Sequence, residues 1–311
     1  MLQVYLLYLS YIAFFLFLMI CILTHSALSV ALAAKGLELW FQRMIPSLLP
    51  FMILSGTMVR MDITEGFTTL LYPVLKPLFQ VRRNVCYVMI MGFLCGFPMG
   101  AKCVSELYTR GKLSRAEASY LLTFCNNIGP VYFVSFALPV IGVHRIGAAL
   151  FGMYGLPFLY GLVLRYTVYR KISGKDSVRN DFHTAVPSTE PSFLRCLDDA
   201  ILAALQSIAV LGGYMVLFNL LCMLPYLYLP AAAPYLAPLL EISGGLSVLQ
   251  ERAPVYSLTA LVFGGFSCIA QTYTCIRETD LSLGQYMLHK CILTALCGGY
   301  YFFFLRFLRL L

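Results

Sequence analysis

Long apolar runs alternate with short polar punctuation along the whole chain, and the runs have the length of a bilayer. They fall near residues 4–24, 44–61, 85–101, 117–140, 146–169, 200–224, 230–249, 255–275 and 284–308. A hydrocarbon core about 30 Å thick is crossed by roughly 20 apolar residues in helical conformation. Several of the runs are short or interrupted, so the pattern predicts seven or eight full crossings. Hydrocarbon offers the backbone no outside partner, which leaves helices or closed barrels. The ten-residue alternation of a transmembrane barrel is absent from the sequence. The expected fold is all-α, a polytopic membrane helical bundle.

The first run, residues 1–26, has no Lys or Arg ahead of it and is longer than the core of a cleavable signal. It is read as a retained transmembrane helix. Residues 172–192, ISGKDSVRNDFHTAVPSTEPS, form a polar linker with nothing to bury. The linker divides the rest into two segments, 27–171 and 193–311, whose punctuation is similar. GFPMGAK at 96–102 faces GFSCIAQ at 265–271, and Leu113-Ser114 faces Leu281-Ser282 after one deletion. Two related repeats of this kind are expected of a transporter, whose halves rock about a site between them.

Composition sharpens the membrane reading. Of the 311 residues, 60% are hydrophobic and 12% charged, with a mean hydropathy of +0.81. Soluble domains carry roughly 25% charged residues, so a soluble globular protein is excluded. The net charge of +8 first reports topology, because Lys and Arg stay in cytoplasmic loops. Arg165, Arg170, Lys171, Lys175 and Arg179, with Arg306 and Arg309, are expected on the cytoplasmic side, and Arg82 and Arg83 as membrane-edge anchors. Charges that flank helices form no nucleic-acid surface. The eleven cysteines make no C-x-x-C pair and the four histidines are scattered, so neither metal nor cofactor is expected. Motifs for nucleophilic, metal-assisted or phosphate chemistry are missing too, and an enzyme is not expected.

Candidate chemistry lies where polar residues break apolar runs. In GFLCGFPMGAK (92–102), Gly96, Pro98 and Gly100 disrupt a helix, since proline removes a donor and glycine permits unusual backbone angles. Irregular backbone at membrane depth must be covered by protein or line a watery cavity. A re-entrant hairpin is expected, with the ammonium of Lys102 near its tip. In SYLLTFCNNIGPVYFVSF (119–136), Asn126, Asn127, Gly129 and Pro130 predict a broken helix. One half ends near Cys125 and the other starts at Pro130 with free N–H groups suited to an anion. The alternative is a proline-kinked structural helix whose Asn residues bind its neighbours. The second half offers Ser267 and Gln271. Glu241 is an acid at apparent membrane depth, read as titrating, as pairing with Lys102, or as lying at the membrane edge. Ser114 and Glu117 form a capping box that opens a helix.

KGLELWFQRMIPSLLPFMILSG (35–56), GFPMGAKCVSELYTRGKLSRAEASYLLTFCNNIGP (96–130) and APLLEISGG (237–245) resemble the YlbJ-like sporulation integral membrane proteins, which bear a nucleoside-recognition gate domain. The resemblance implies a bacterial inner-membrane protein of the mother-cell-derived forespore membrane, linked to movement of dipicolinate, a small aromatic dicarboxylate. Gate-domain relatives also include nucleoside carriers and parts of ferrous-iron transporters. The expected function is therefore a carrier or facilitator for a small organic anion. A nucleoside transporter and a non-transporting sporulation scaffold are the alternatives. The substrate site is expected at Gly96, Pro98, Gly100, Lys102, Asn126, Asn127, Pro130, Glu241, Ser267 and Gln271, with Phe97, Phe124 and Tyr132 covering an aromatic ring. The expected partners are that anion and the bilayer, and a homodimer is left open.

Overall fold

The computed structural model describes residues 2–172 and 192–308. Lys175, Arg179 and Arg309, read above as topology markers, lie outside them, as does nearly all of the linker. Every regular element among the described residues is a helix, as an apolar chain without backbone partners requires.

Helix α1 (Leu2–Thr24) is followed by α2 (Ser26–Arg60), which bends by 119° into α3 (Thr64–Leu70). Then come α4 (Tyr72–Phe79), α5 (Arg83–Cys95), α6 (Met99–Thr109), α7 (Arg115–Leu122), α8 (Pro130–Ile141) and α9 (Ile146–Tyr166). The second half holds α10 (Phe193–Tyr228), α11 (Ala233–Leu240), α12 (Ile242–Leu249), α13 (Pro254–Phe263), α14 (Gly265–Ile276) and α15 (Leu283–Leu308). Three wide π turns interrupt the longer helices, at Trp40–Met44, Phe133–Ala137 and Phe151–Gly155. Each lies just before a proline: Pro46, Pro139 and Pro157. A proline ring collides with the carbonyl four residues back, and a turn closed by an i→i−5 bond makes room for it.

Loops mark two faces. On the proximal face Lys112 pairs with Asp62, Tyr108 donates to Asp280 at 2.6 Å, and Gln285 donates to the Tyr169 hydroxyl at 2.6 Å. On the distal face Gly142 packs against Glu251, and Tyr256 bonds to the carbonyl of Tyr235. Helices α2, α9, α10 and α15 run between these faces. So does α13–α14, interrupted at Gly264 and Gly265, both of which take positive φ.

Two apolar runs that hydropathy alone would make crossings turn back instead. The arms of α5 and α6 lie antiparallel. Tyr87 on one arm and Cys103 on the other both meet the Ser55 hydroxyl, at 2.9 and 3.4 Å. Gly92 and Gly100 both press on the carbonyl of Cys125, and Arg82 reaches the carbonyl of Lys112 where the arms end. Their 13 and 11 residues give arms of about 16–20 Å, too short to cross. This is the re-entrant hairpin expected at 92–102, entering from the proximal face.

The apolar run 230–249 is a second re-entrant hairpin, entering from the distal face. Gly245 on α12 lies so close to Ala237 and Pro238 on α11 that a side chain there has no room. The turn is made at Glu241, whose backbone is extended (φ −138°, ψ 117°). Its carboxylate accepts from the N–H of Ser243 at 3.2 Å and of Gly244 at 2.6 Å. An acid in that position satisfies orphan donors of the new helix.

Two arginines are internal. Arg165 is 4% exposed and donates to the carbonyls of Phe79, Gln80, Tyr169 and Ile172 at 2.7–3.1 Å. Arg82 pairs through Nε with Oε1 of buried Glu117 at 2.9 Å. The membrane-edge reading of Arg82 is corrected: both guanidiniums tie helix ends together. The capping box of Ser114 and Glu117 is present as expected.

Candidate solute site between two opposed hairpins

Among the described residues, four interruptions of the helical pattern converge. The tip of the proximal hairpin, Gly96-Phe97-Pro98, has a cis Phe97–Pro98 peptide and places Gly96 at φ +82° against the backbone N–H of Gly129. The broken stretch 123–129 passes under that tip, and its break is wider than expected, since α7 ends at Leu122. The α13–α14 break lies between the two tips. Gly264 (φ +83°) abuts the Phe97 ring, and Gly265 faces the carbonyls of Pro238, Leu239 and Leu240. Tyr132, in the first turn of α8, donates to the Ser243 hydroxyl of the distal hairpin at 3.0 Å. Glycine is required at 264 and 265 because the backbone is left-handed and the neighbours are in contact.

Two cavities flank this junction. The outer one, about 420 Å³, is lined by Pro98, Lys102, Glu106, Ser207, Arg277 and Glu278 among others, and lies toward the proximal face. That volume is in the usual range of small-molecule sites, about 300–1,000 Å³. The inner one, about 50 Å³, is largely apolar and includes Phe97, Tyr132, Glu241, Ser243 and Cys268. Gln271 and Leu211 line both and form the wall between them.

The expected site residues therefore separate. Pro98 and Lys102 belong to the outer cavity, Glu241 to the inner, and Gln271 to both. Ser267 is buried behind the wall and accepts from Gln271 at 3.1 Å. Gly96 and Gly100 seat the hairpin on residues 125–129, and Pro130 opens α8 just behind Val131 and Tyr132. Asn126 and Asn127 line neither cavity. Asn126 accepts from the Ala101 N–H at 3.3 Å and donates to Thr272 and Tyr286, at 2.9 and 3.3 Å. The pairing of Glu241 with Lys102 is absent. Lys102 donates to Ser207 Oγ at 2.7 Å, while Glu241 also accepts from Asn219 at 3.1 Å. Phe97 and Tyr132 reach the inner cavity, whereas Phe124 is packed away against Phe79 and Tyr120.

Sequence reasoning missed Lys290. Its side chain, on α15, is 2% exposed. Nζ donates to the Asn126 carbonyl at 2.9 Å and to Asn127 Oδ1 at 3.2 Å, and lies 4.4 Å from the Phe97 ring centroid. Its signal was a single ammonium within an otherwise uncharged stretch of helix.

The chain is thus an integral membrane protein with opposed re-entrant hairpins around internal cavities. It is similar to the sporulation integral membrane protein YlbJ of Bacillus subtilis (strain 168), with 26% identity over 90% of this chain and 78% of the relative. The likeness extends over most of both chains, in keeping with the resemblance of the sequence motifs to the YlbJ-like proteins. No family model matches, and no solved structure does.

Proposed function

We propose that the protein is a carrier or facilitator for a small organic anion in the membrane system of sporulating cells, with dipicolinate as first candidate. One observation carries this reading: two hairpins from opposite faces meet at a wall formed by Gln271 and Leu211, with a larger outer cavity that presents the Lys102 ammonium on one side and a small, largely apolar cavity on the other. Re-entrant segments and broken helices at mid-membrane are the usual construction of solute sites in transporters. Lys102 gives the outer cavity an ammonium held by neutral groups, Ser207 Oγ and the Ala203 carbonyl, at 2.7 and 3.5 Å. It is therefore ready to exchange a weak partner for a carboxylate. The printed name of the B. subtilis relative supports the setting in sporulation.

Purified protein in liposomes tests the reading directly. Labelled dipicolinate is expected to enter faster than uridine, and Lys102→Ala to slow entry at least about tenfold, the effect of losing one charge-assisted contact. Wild-type liposomes no more permeable to dipicolinate than empty ones would remove the proposal and favour a scaffold.

A further inference from the structure

Among the described residues Lys290 has no counter-charge, which is unusual for so buried an ammonium. Long charged side chains are almost never fully buried unless paired. Among the described residues no carboxylate lies within ion-pair distance of it, and its hydrogen-bond acceptors are neutral oxygens of Asn126 and Asn127. The third neighbour, Phe97, offers the face of its ring at 4.4 Å and is itself part of the inner cavity wall. One aromatic ring thus separates an uncompensated cation from the cavity. That ring sits on the tip of a hairpin and also lies against Gly264. Such a contact stabilises a cation without neutralising it.

We infer that Lys290 is the inner anion-binding group, masked by Phe97 at rest and paired with a carboxylate of the solute when the hairpin tip moves aside. The inference rests on the carrier reading and deepens it. Lys102 would receive the anion in the outer cavity, and Lys290 would receive it beyond the Gln271 wall. The neutral acceptors suit that role, since a built-in carboxylate would compete with the solute. An anion that carries two carboxylates on a flat ring matches an ammonium behind an aromatic shutter.

The experiment measures binding of dipicolinate to the purified full chain by calorimetry, beside its melting temperature. Lys290→Met should weaken binding at least tenfold and Lys290→Arg much less. The melting temperature of Lys290→Met should stay level or rise, because an apolar chain of similar length replaces an unpaired buried charge. A purely structural lysine predicts the opposite pattern, a lower melting temperature with binding per folded molecule unchanged, and that result overturns the inference. Phe97→Ala provides a second arm that leaves the lysine in place. It should make Lys290 reactive toward a small amine reagent, read by mass spectrometry, and dipicolinate should protect it. A Lys290 that stays unreactive in Phe97→Ala, or reacts equally with and without dipicolinate, also overturns the inference. Dipicolinate binding to wild type and to Lys290→Met within twofold sinks the role of Lys290 and leaves the carrier reading standing. No binding to wild type at all sinks both.

Discussion

Glu117 shows how a single side chain joins local and distant order. Its carboxylate accepts from the backbone N–H and the hydroxyl of Ser114, at 2.8 and 2.9 Å, and receives the Arg82 guanidinium from the start of the proximal hairpin. Removing one member of a buried pair leaves the other charge uncompensated, at a cost of about 3–5 kcal/mol. Glu117→Ala is therefore expected to lower the melting temperature of the purified protein far more than Ser114→Ala, which removes only a cap worth about 1 kcal/mol. Equal, small shifts for both would contradict this assignment. The capping half of the arrangement was legible because Ser114 and Glu117 are three residues apart. The ion pair was not, since Arg82 lies 35 residues away and two adjacent arginines beside an apolar run look like an interfacial anchor. Lys290 was obscured in the same way: its acceptors lie 163 and 164 residues off.

At the level of elements, the sequence predicted where helices break better than which way the chain goes afterwards. Gly96 and Gly264 both take left-handed φ, of +82° and +83°, and both lie in a glycine–phenylalanine context that invited alignment. At Gly96 the chain turns back, with Pro98 ending one arm before the next begins. At Gly264 and Gly265 the helix is broken only briefly, and the chain goes on as α14. Hydropathy records the length of an apolar run and not its direction, so nothing in the length of 230–249 marks the turn at Glu241. The proximal hairpin depends on backbone-to-backbone contact, and this gives a graded test. A methyl group at Gly100 meets the Cys125 carbonyl, whereas at Gly111 (φ +69°) nothing lies within 4 Å. Gly111→Ala should cost about 1–2 kcal/mol, the strain of a left-handed alanine. Gly100→Ala has no unstrained solution without moving residues 125–126, and should cost more and also reduce anion entry. Thermal melts and uptake on the two variants check the order; a reversed order would mean that the arms are not packed on the broken stretch.

For the molecule as a whole, the asymmetry of the two cavities defines a state. The outer cavity is large and the more polar of the two, and the inner one, about 50 Å³, has space for only a few water molecules, given the roughly 10–15 Å³ that one water centre requires. A solute the size of dipicolinate does not fit the inner cavity, so passage needs the hairpin tips and the Gln271 wall to move. Two native cysteines report on this without new chemistry: Cys275 lines the outer cavity and Cys268 the inner. In variants retaining only one or the other, a charged thiol reagent applied to sealed vesicles should modify Cys275 from one side of the membrane and leave Cys268 almost untouched. Adding the solute should raise the rate at Cys268, because a carrier must expose its inner cavity in order to load or release. Binding that merely filled the outer cavity would instead slow modification of Cys275 and leave Cys268 protected. Rapid modification of Cys268 in resting protein would mean that the wall is open, and the separation of the two cavities would lose its functional meaning.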